Sequence, residues 1–209
     1  MTAPHAGTPV PAHGWTKAVA VGLAAGLVGA VAMAMFAMVA GATYLGSGFF
    51  TPMYHIASAF GWSTAMQAMM TSMEQAGSGS TFYWAAGPAL TGLLIHMVAG
   101  MLWGGAFGLV VRGLRTTRAA LVPVGIGFGL VVLLVMSYLV LPALASLFGS
   151  GEPIREMPAM VGWGTFATEH ALFGLMLGLV ALWLDAPIDG RTSSPARVRR
   201  RPDVPQRTA

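Results

Sequence analysis

The chain has 209 residues, 56% of them hydrophobic and only 9% charged, with a net charge of +4 and a mean hydropathy of +0.70. Soluble domains run to about a quarter charged residues, so this balance argues against a soluble enzyme, and the flanking positions of the charges argue against a nucleic-acid partner. Cysteine is absent, which excludes disulfides, thiolate metal sites and cysteine nucleophiles.

No Asp, Glu, Lys or Arg occurs between Lys17 and Glu74, from Gln75 to Val111, or from Ala119 to Gly151. A charge in mid-bilayer costs several kcal/mol, so runs of this kind predict an integral membrane protein. About 20 apolar residues cross the hydrocarbon core as a helix. Four segments meet that requirement: Ala18 to Leu45, Pro88 to Val111, Leu121 to Phe148, and Trp163 to Leu184. The expected fold class is therefore all-α, one transmembrane domain over residues 17–185, with disordered ends at 1–16 and 186–209.

The first span is preceded by Lys17. Ala40-Gly41-Ala42 has the small residues of a cleavage site, but the apolar stretch exceeds a signal-peptide core, which favours a retained signal-anchor helix. The following outer loop, 46–87, holds two short amphipathic segments. Thr51-Pro52 reads as an N-cap and first helical position, with Met53, Ile56, Ala57 and Phe60 on one face and His55 and Ser58 turned elsewhere. Ser63 reads as a second cap, and Met66, Met69, Met70 and Met73 form a stripe at helical spacing. Both are expected to be interfacial helices. Thioethers suit Cu(I), but methionine as an adaptable apolar filler is the preferred reading.

The second span carries Gly92, His96, Gly100, Gly104 and Gly108 at four-residue intervals. Arg112, Arg115 and Arg118 join it to the third span, where Pro142 is expected to introduce a kink. The fourth span carries Glu169, His170, Gly174 and Gly178, and the tail beyond it contains Arg197, Arg199, Arg200 and Arg201. This distribution of basic residues predicts both termini in the cytoplasm of a bacterium, with the chain in its inner membrane. The tail is expected to contact anionic lipid.

Span one has Gly22, Gly26 and Met33 at the same offsets as Gly125, Gly129 and Met136 in span three. His96, Gly100 and Gly104 match His170, Gly174 and Gly178 in the same way. These matches predict two tandem parallel hairpin repeats, 17–111 and 118–184. The helix-packing residues are Gly22, Gly26, Gly100, Gly104, Gly125, Gly129, Gly174 and Gly178, because small residues at this spacing let helix backbones approach.

Ionisable groups inside apolar spans usually face the bundle interior or a wet cavity. His96 lies about 12 Å and His170 about 10 Å into their helices, so the two rings are expected at similar depth and in equivalent positions. His55 is placed to fold over the same mouth. The leading reading is structural: each imidazole bonds a neighbouring helix, and Glu169 joins Thr165 or the loop in a polar network. The alternatives are a proton or small-solute path through Glu169, His96 and His170, a haem b held by His96 and His170 as axial ligands, or a divalent-metal site built from those two with His55 and Glu169. No catalytic residue is assigned, since no phosphate loop, nucleophile elbow or metalloprotease signature occurs.

The string Phe49-Phe50-Thr51-Pro52-Met53-Tyr54-His55-Ile56-Ala57-Ser58 and the two His-x-x-x-Gly helices carry a likeness. The chain resembles uncharacterised small four-helix multi-pass bacterial membrane proteins over most of residues 17 to 185. That resemblance implies topology and no mechanism. The expected function is a non-enzymatic bundle that binds lipid, a small solute or a protein partner, a second copy of the chain included.

Overall fold

The structure is a computed structural model and describes residues 13–184. The expected disorder of the tail and its Arg197–Arg201 lipid contact lie outside the described residues, as do residues 1–12. Helix α1, His13–Ala42, begins inside the stretch expected to be disordered.

Every regular element among the described residues is helical. Four stretches are long and apolar enough to cross a membrane: Gly14–Ala42, Ala86–Gly113, Arg118–Phe148 and Trp163–Trp183. The first belongs to α1. Between it and the second span lie α2 (Thr51–Ser58) and α3 (Ser63–Gly77), and α4 (Ala86–Gly113) is the second span. The third span is continuous but not uniform. A 3-10 turn at Arg118–Ala120 leads into α5 (Leu121–Val135), a π-turn at Met136–Val140, and α6 (Leu141–Phe148). Pro142 has no N–H to give the preceding turn, and the chain widens there by one residue. Short helices α7 (Glu152–Arg155) and α8 (Met157–Val161) precede α9, Trp163–Trp183.

The spans alternate in direction. One end of the bundle carries Lys17, Arg112, Arg115 and Arg118; the opposite, capped end carries α2, α3, α7 and α8. Large side chains such as Leu27, Val31, Met35, Leu94, Leu102 and Leu139 cover the outside of the spans and are exposed, as an apolar solvent permits.

Glycine seams hold the helices together. Gly22 and Gly26 of α1 stand against the backbone of Gly100, Gly104 and Gly108 in α4. Gly125 and Gly129 of α5 stand against His170, Gly174 and Gly178 of α9. All eight glycines expected at helix contacts are therefore in them. The two seams differ in register by one helical turn: Gly26 faces Gly100 and Gly104, whereas Gly129 faces the carbonyl of His170 and Gly174.

The bundle closes unevenly. Gly29 of α1 packs on Phe173, so α1 and α9 form the central wall. Helices α4 and α5 on the other side approach closely at few positions, with Trp103 and Phe107 meeting Phe128. Phe107, Leu121, Phe173 and Leu177 form the core of the arginine end. A second core, with Leu141, Ile154, Met157 and Phe166, lies at the capped end.

Helix α2, expected as an interfacial helix, is packed into the protein. Thr51, Met53, Tyr54, His55, Ala57 and Ser58 are all buried, and the Met53 backbone lies directly on Gly92 of α4. The expected caps also differ. Phe50 and Trp62 occupy the N-cap positions, while Thr51 Oγ1 bonds the Ser47 carbonyl at 2.5 Å and Ser72 Oγ at 2.8 Å, tying α3 to the loop. Of the methionine stripe, Met69 is buried, Met66 is half-buried, and Met70 and Met73 are exposed.

Candidate functional site

Where α4 and α5 part, the bundle holds a half-open cavity of about 700 Å³. Helices α1 and α9 form its back wall through residues such as Met33, Ala37, Phe166 and Phe173. Its sides come from α4, with Ile95, Ala99 and Trp103, and from the third span, with Val132, Met136 and Val140. Met53, Ile56 and Met69 of α2 and α3 roof it, with Met157 and Met160 of α8. Leu102 also lines the cavity and is 67% exposed, which marks a rim on the outer side of α4.

The structure brings all four sequence-selected polar residues, His55, His96, Glu169 and His170, to this one cavity. His96 and His170 do share it, but their bonding differs. His96 Nε2–H donates to the Ala30 carbonyl of α1 at 3.1 Å, so this ring bonds a neighbouring helix as expected. His170 Nδ1–H donates to the Phe166 carbonyl of its own helix at 2.8 Å. That bond fixes the ring on α9 instead of bridging helices, and the ring edge lies 4.6 Å, centroid to centroid, from Phe166. Opposite the backbone of His170 stands Gly129 of α5, whereas the His96 ring meets the backbone of Ala30 in α1.

His55 enters from the roof. Its Nε2–H donates to the Pro153 carbonyl at 2.6 Å, joining the first outer loop to α7. In each ring the donating nitrogen carries the proton, and the other nitrogen has no hydrogen-bond partner among the described residues. Burial holds the His55 pKa below its ordinary 6.5, partly offset by the bond to Pro153. As pH falls below 6.5 the unfolded chain takes up a proton before the folded one does. The stabilising preference for neutral His55 is complete above 6.5 and is lost as pH drops toward the lower folded value. Thermal melts of the purified protein are expected to show this decline, and His55→Gln, which keeps a donor for Pro153, is expected to flatten it.

Glu169 is only 5% exposed, and its carboxyl has no hydrogen-bond partner among the described residues. The expected link to Thr165 is not made: the Thr165 hydroxyl is instead the partner of Tyr44 Oη at 3.2 Å. Although Glu169 and His170 are adjacent and therefore about 100° apart around the helix, the cavity is wide enough to receive both. Among the described residues, no three or more of His, Cys, Asp and Glu are gathered as metal ligands.

Two features of the site were not anticipated. Tyr54 is fully buried, accepts from the Ala85 N–H at 2.8 Å and donates to the Tyr83 carbonyl at 2.8 Å, fastening the roof to the entry of α4. The π-turn supplies Met136 and Val140 to the cavity and leaves the buried Ser137 hydroxyl without a partner. Pro142 was the only sequence signal for the latter. Comparison of the chain with protein-family models, with curated proteins and with solved structures finds no match.

Proposed function

We propose that the chain is a non-enzymatic, multi-pass protein of a bacterial inner membrane that binds a small apolar or amphipathic molecule drawn from the lipid. The observation that carries this reading is the cavity. Its volume of about 700 Å³ lies in the range of small-molecule sites, which are mostly apolar with a few convergent polar groups. An exposed rim at Leu102 and the parting of α4 from α5 give such a molecule a sideways route in.

The architecture behind this reading is two tandem hairpins in parallel orientation. The matched glycine offsets and the two antiparallel seams are consistent with duplication, and basic residues at one end favour termini in the cytoplasm. On this reading α3, with its exposed Met70 and Met73, rests at the outer lipid surface.

A photoreactive alkyl diazirine added to proteoliposomes tests the binding. Labelling is expected at Met136 and Phe173 inside the cavity as well as on the lipid-facing Leu94. Ala99→Trp, which fills the space, is expected to reduce the inner labelling about tenfold, equivalent to about 1.4 kcal/mol, while Leu94 labels as before. Equal labelling of both variants at the inner positions would remove the reading.

One observation favours a second reading. A buried carboxyl without a partner among the described residues, Glu169, lining the same cavity as His96 and His170, is the kind of group that marks proton or solute paths in membranes. A flux through proteoliposomes that Glu169→Gln abolishes would select the carrier.

A further inference from the structure

We propose that the molecule held in this cavity carries a protonated amine on an apolar body, with the Glu169 carboxylate as its counter-charge. This rests on the cavity being a ligand site and adds the chemical class of the ligand. The inference comes from what the polar groups have left to offer. His55, His96 and His170 each spend their N–H on a backbone carbonyl, of Pro153, Ala30 and Phe166 respectively. What remains on each ring is a lone pair. Glu169 adds a carboxyl, 95% removed from the surface by its 5% exposure, that no described side chain or backbone group satisfies.

No Lys or Arg lines the cavity. The described basic residues lie at the two ends of the bundle, and Arg155 at the capped end is engaged with Glu152 at 2.8 Å. The protein thus encloses a carboxyl among acceptors in apolar surroundings and supplies it no cation. An unpaired charge in such a place is costly, and a bound cation with N–H donors removes that cost.

Other ligand classes fit less well. A carboxylate or phosphate would face the Glu169 carboxyl and three lone pairs. A quinone offers only carbonyl acceptors; the imidazole N–H groups are already committed, so it would have a single donor, the Glu169 carboxyl in its protonated form, for its two carbonyls. An alkylammonium donates to the carboxylate and to a ring nitrogen, while Phe166, Phe173 and Trp103 line the same space and can lie against its charge. Its alkyl chain then follows Met33, Met136 and Val140 toward the opening between α4 and α5.

Primary ammonium groups come from two sources, a free lipophilic amine and the headgroup of an aminophospholipid. The test uses full-length protein in phosphatidylcholine nanodiscs and three radiolabelled ligands of equal chain length: dodecylamine, dodecanol and dodecanoate. Empty discs give the lipid background. Dodecylamine is expected to bind saturably and about tenfold more tightly than dodecanol, with dodecanoate weakest. Glu169→Gln is expected to erase the advantage of the amine over dodecanol, and saturable dodecanol binding by that variant shows that the cavity is intact. Glu169→Asp, which keeps the charge, is expected to retain most of the preference even if the amide variant is poorly folded. Phosphatidylethanolamine added to the discs displaces dodecylamine if the headgroup is the source and leaves it bound if the amine is free.

The ligand class is overturned if dodecanol or dodecanoate binds as tightly as dodecylamine, or if Glu169→Gln keeps the preference. In that case dodecanol binding that Ala99→Trp blocks leaves the cavity reading standing. Failure of all three ligands to bind above empty discs would remove both.

Discussion

Replacing Gly104 with valine is expected to abolish the folded bundle. A side chain at this position runs into the Gly22 carbonyl oxygen and the Cα and amide of Gly26. These obstacles are backbone atoms in the middle of a facing helix, so no rotamer change relieves them. Overpacking usually costs about 1–3 kcal/mol where side chains can shift; here the helices themselves must separate, and the cost lies at the top of that range or above it. Separation also exposes the glycine seam to lipid, where close packing is the main attraction between helices. Gly174→Val should act alike on α5 and α9, because its Cβ meets the Gly125 carbonyl and Ile126 Cα. Gly127 is the control. It lies inside α5 with nothing within 4 Å of an added Cβ, so Gly127→Ala is expected to gain about 0.5–1 kcal/mol from reduced backbone freedom. Yield of monodisperse protein and thermal midpoint in detergent separate the three variants.

Tyr54→Ala is expected to detach the roof from the cavity. The side chain is fully buried among Ala68, Met69 and Ala89, and truncating a buried aromatic costs about 3–5 kcal/mol. The hydroxyl has a second task. It accepts from Ala85 N–H and donates to the Tyr83 carbonyl, so it satisfies backbone groups where the chain enters α4. Tyr54→Phe leaves those two groups unpaired while keeping the ring, and is expected to cost about 1–3 kcal/mol. Hydrogen exchange followed by mass spectrometry should show α2 and the start of α4 losing protection in both variants, with Tyr54→Ala the larger effect. The core around Phe107 and Leu177 should keep its protection, since it lies at the opposite end of the bundle.

The spans were legible in the sequence because lipid imposes one rule on every residue of a crossing helix. The second span, read as Pro88 to Val111, is Ala86–Gly113, and the fourth, read as Trp163 to Leu184, is Trp163–Trp183. Polar residues that break the rule are equally conspicuous, which is why His96, Glu169 and His170 could be named and why they do line one cavity. The fate of α2 was not legible. An eight-residue helix buried on nearly every side has no apolar stripe to read, and its His55 and Ser58 look turned away from the protein until α4 and α7 pack against the helix. The partner of His170 was hidden for a related reason. Identical offsets in two helices imply identical neighbours only if both hairpins pack in the same register, and a four-residue glycine period is satisfied by more than one. Pro142 announced an irregularity in the third span, but the missing N–H alone does not decide between a bend and a widened turn.

A row of small residues spaced four apart behaves like a graduated scale. Sliding one helix along the other by one division, about 6 Å, brings small residue onto small residue again and changes the partners without emptying the contact. The chain displays two adjacent settings of that scale at once, one between α1 and α4 and the next between α5 and α9. A shift of the α1–α4 pair by a single notch would give it the alignment its counterpart already has, whereas the reverse shift of α5 on α9 would set Gly125 against Leu182, so the scale can be read in one direction only.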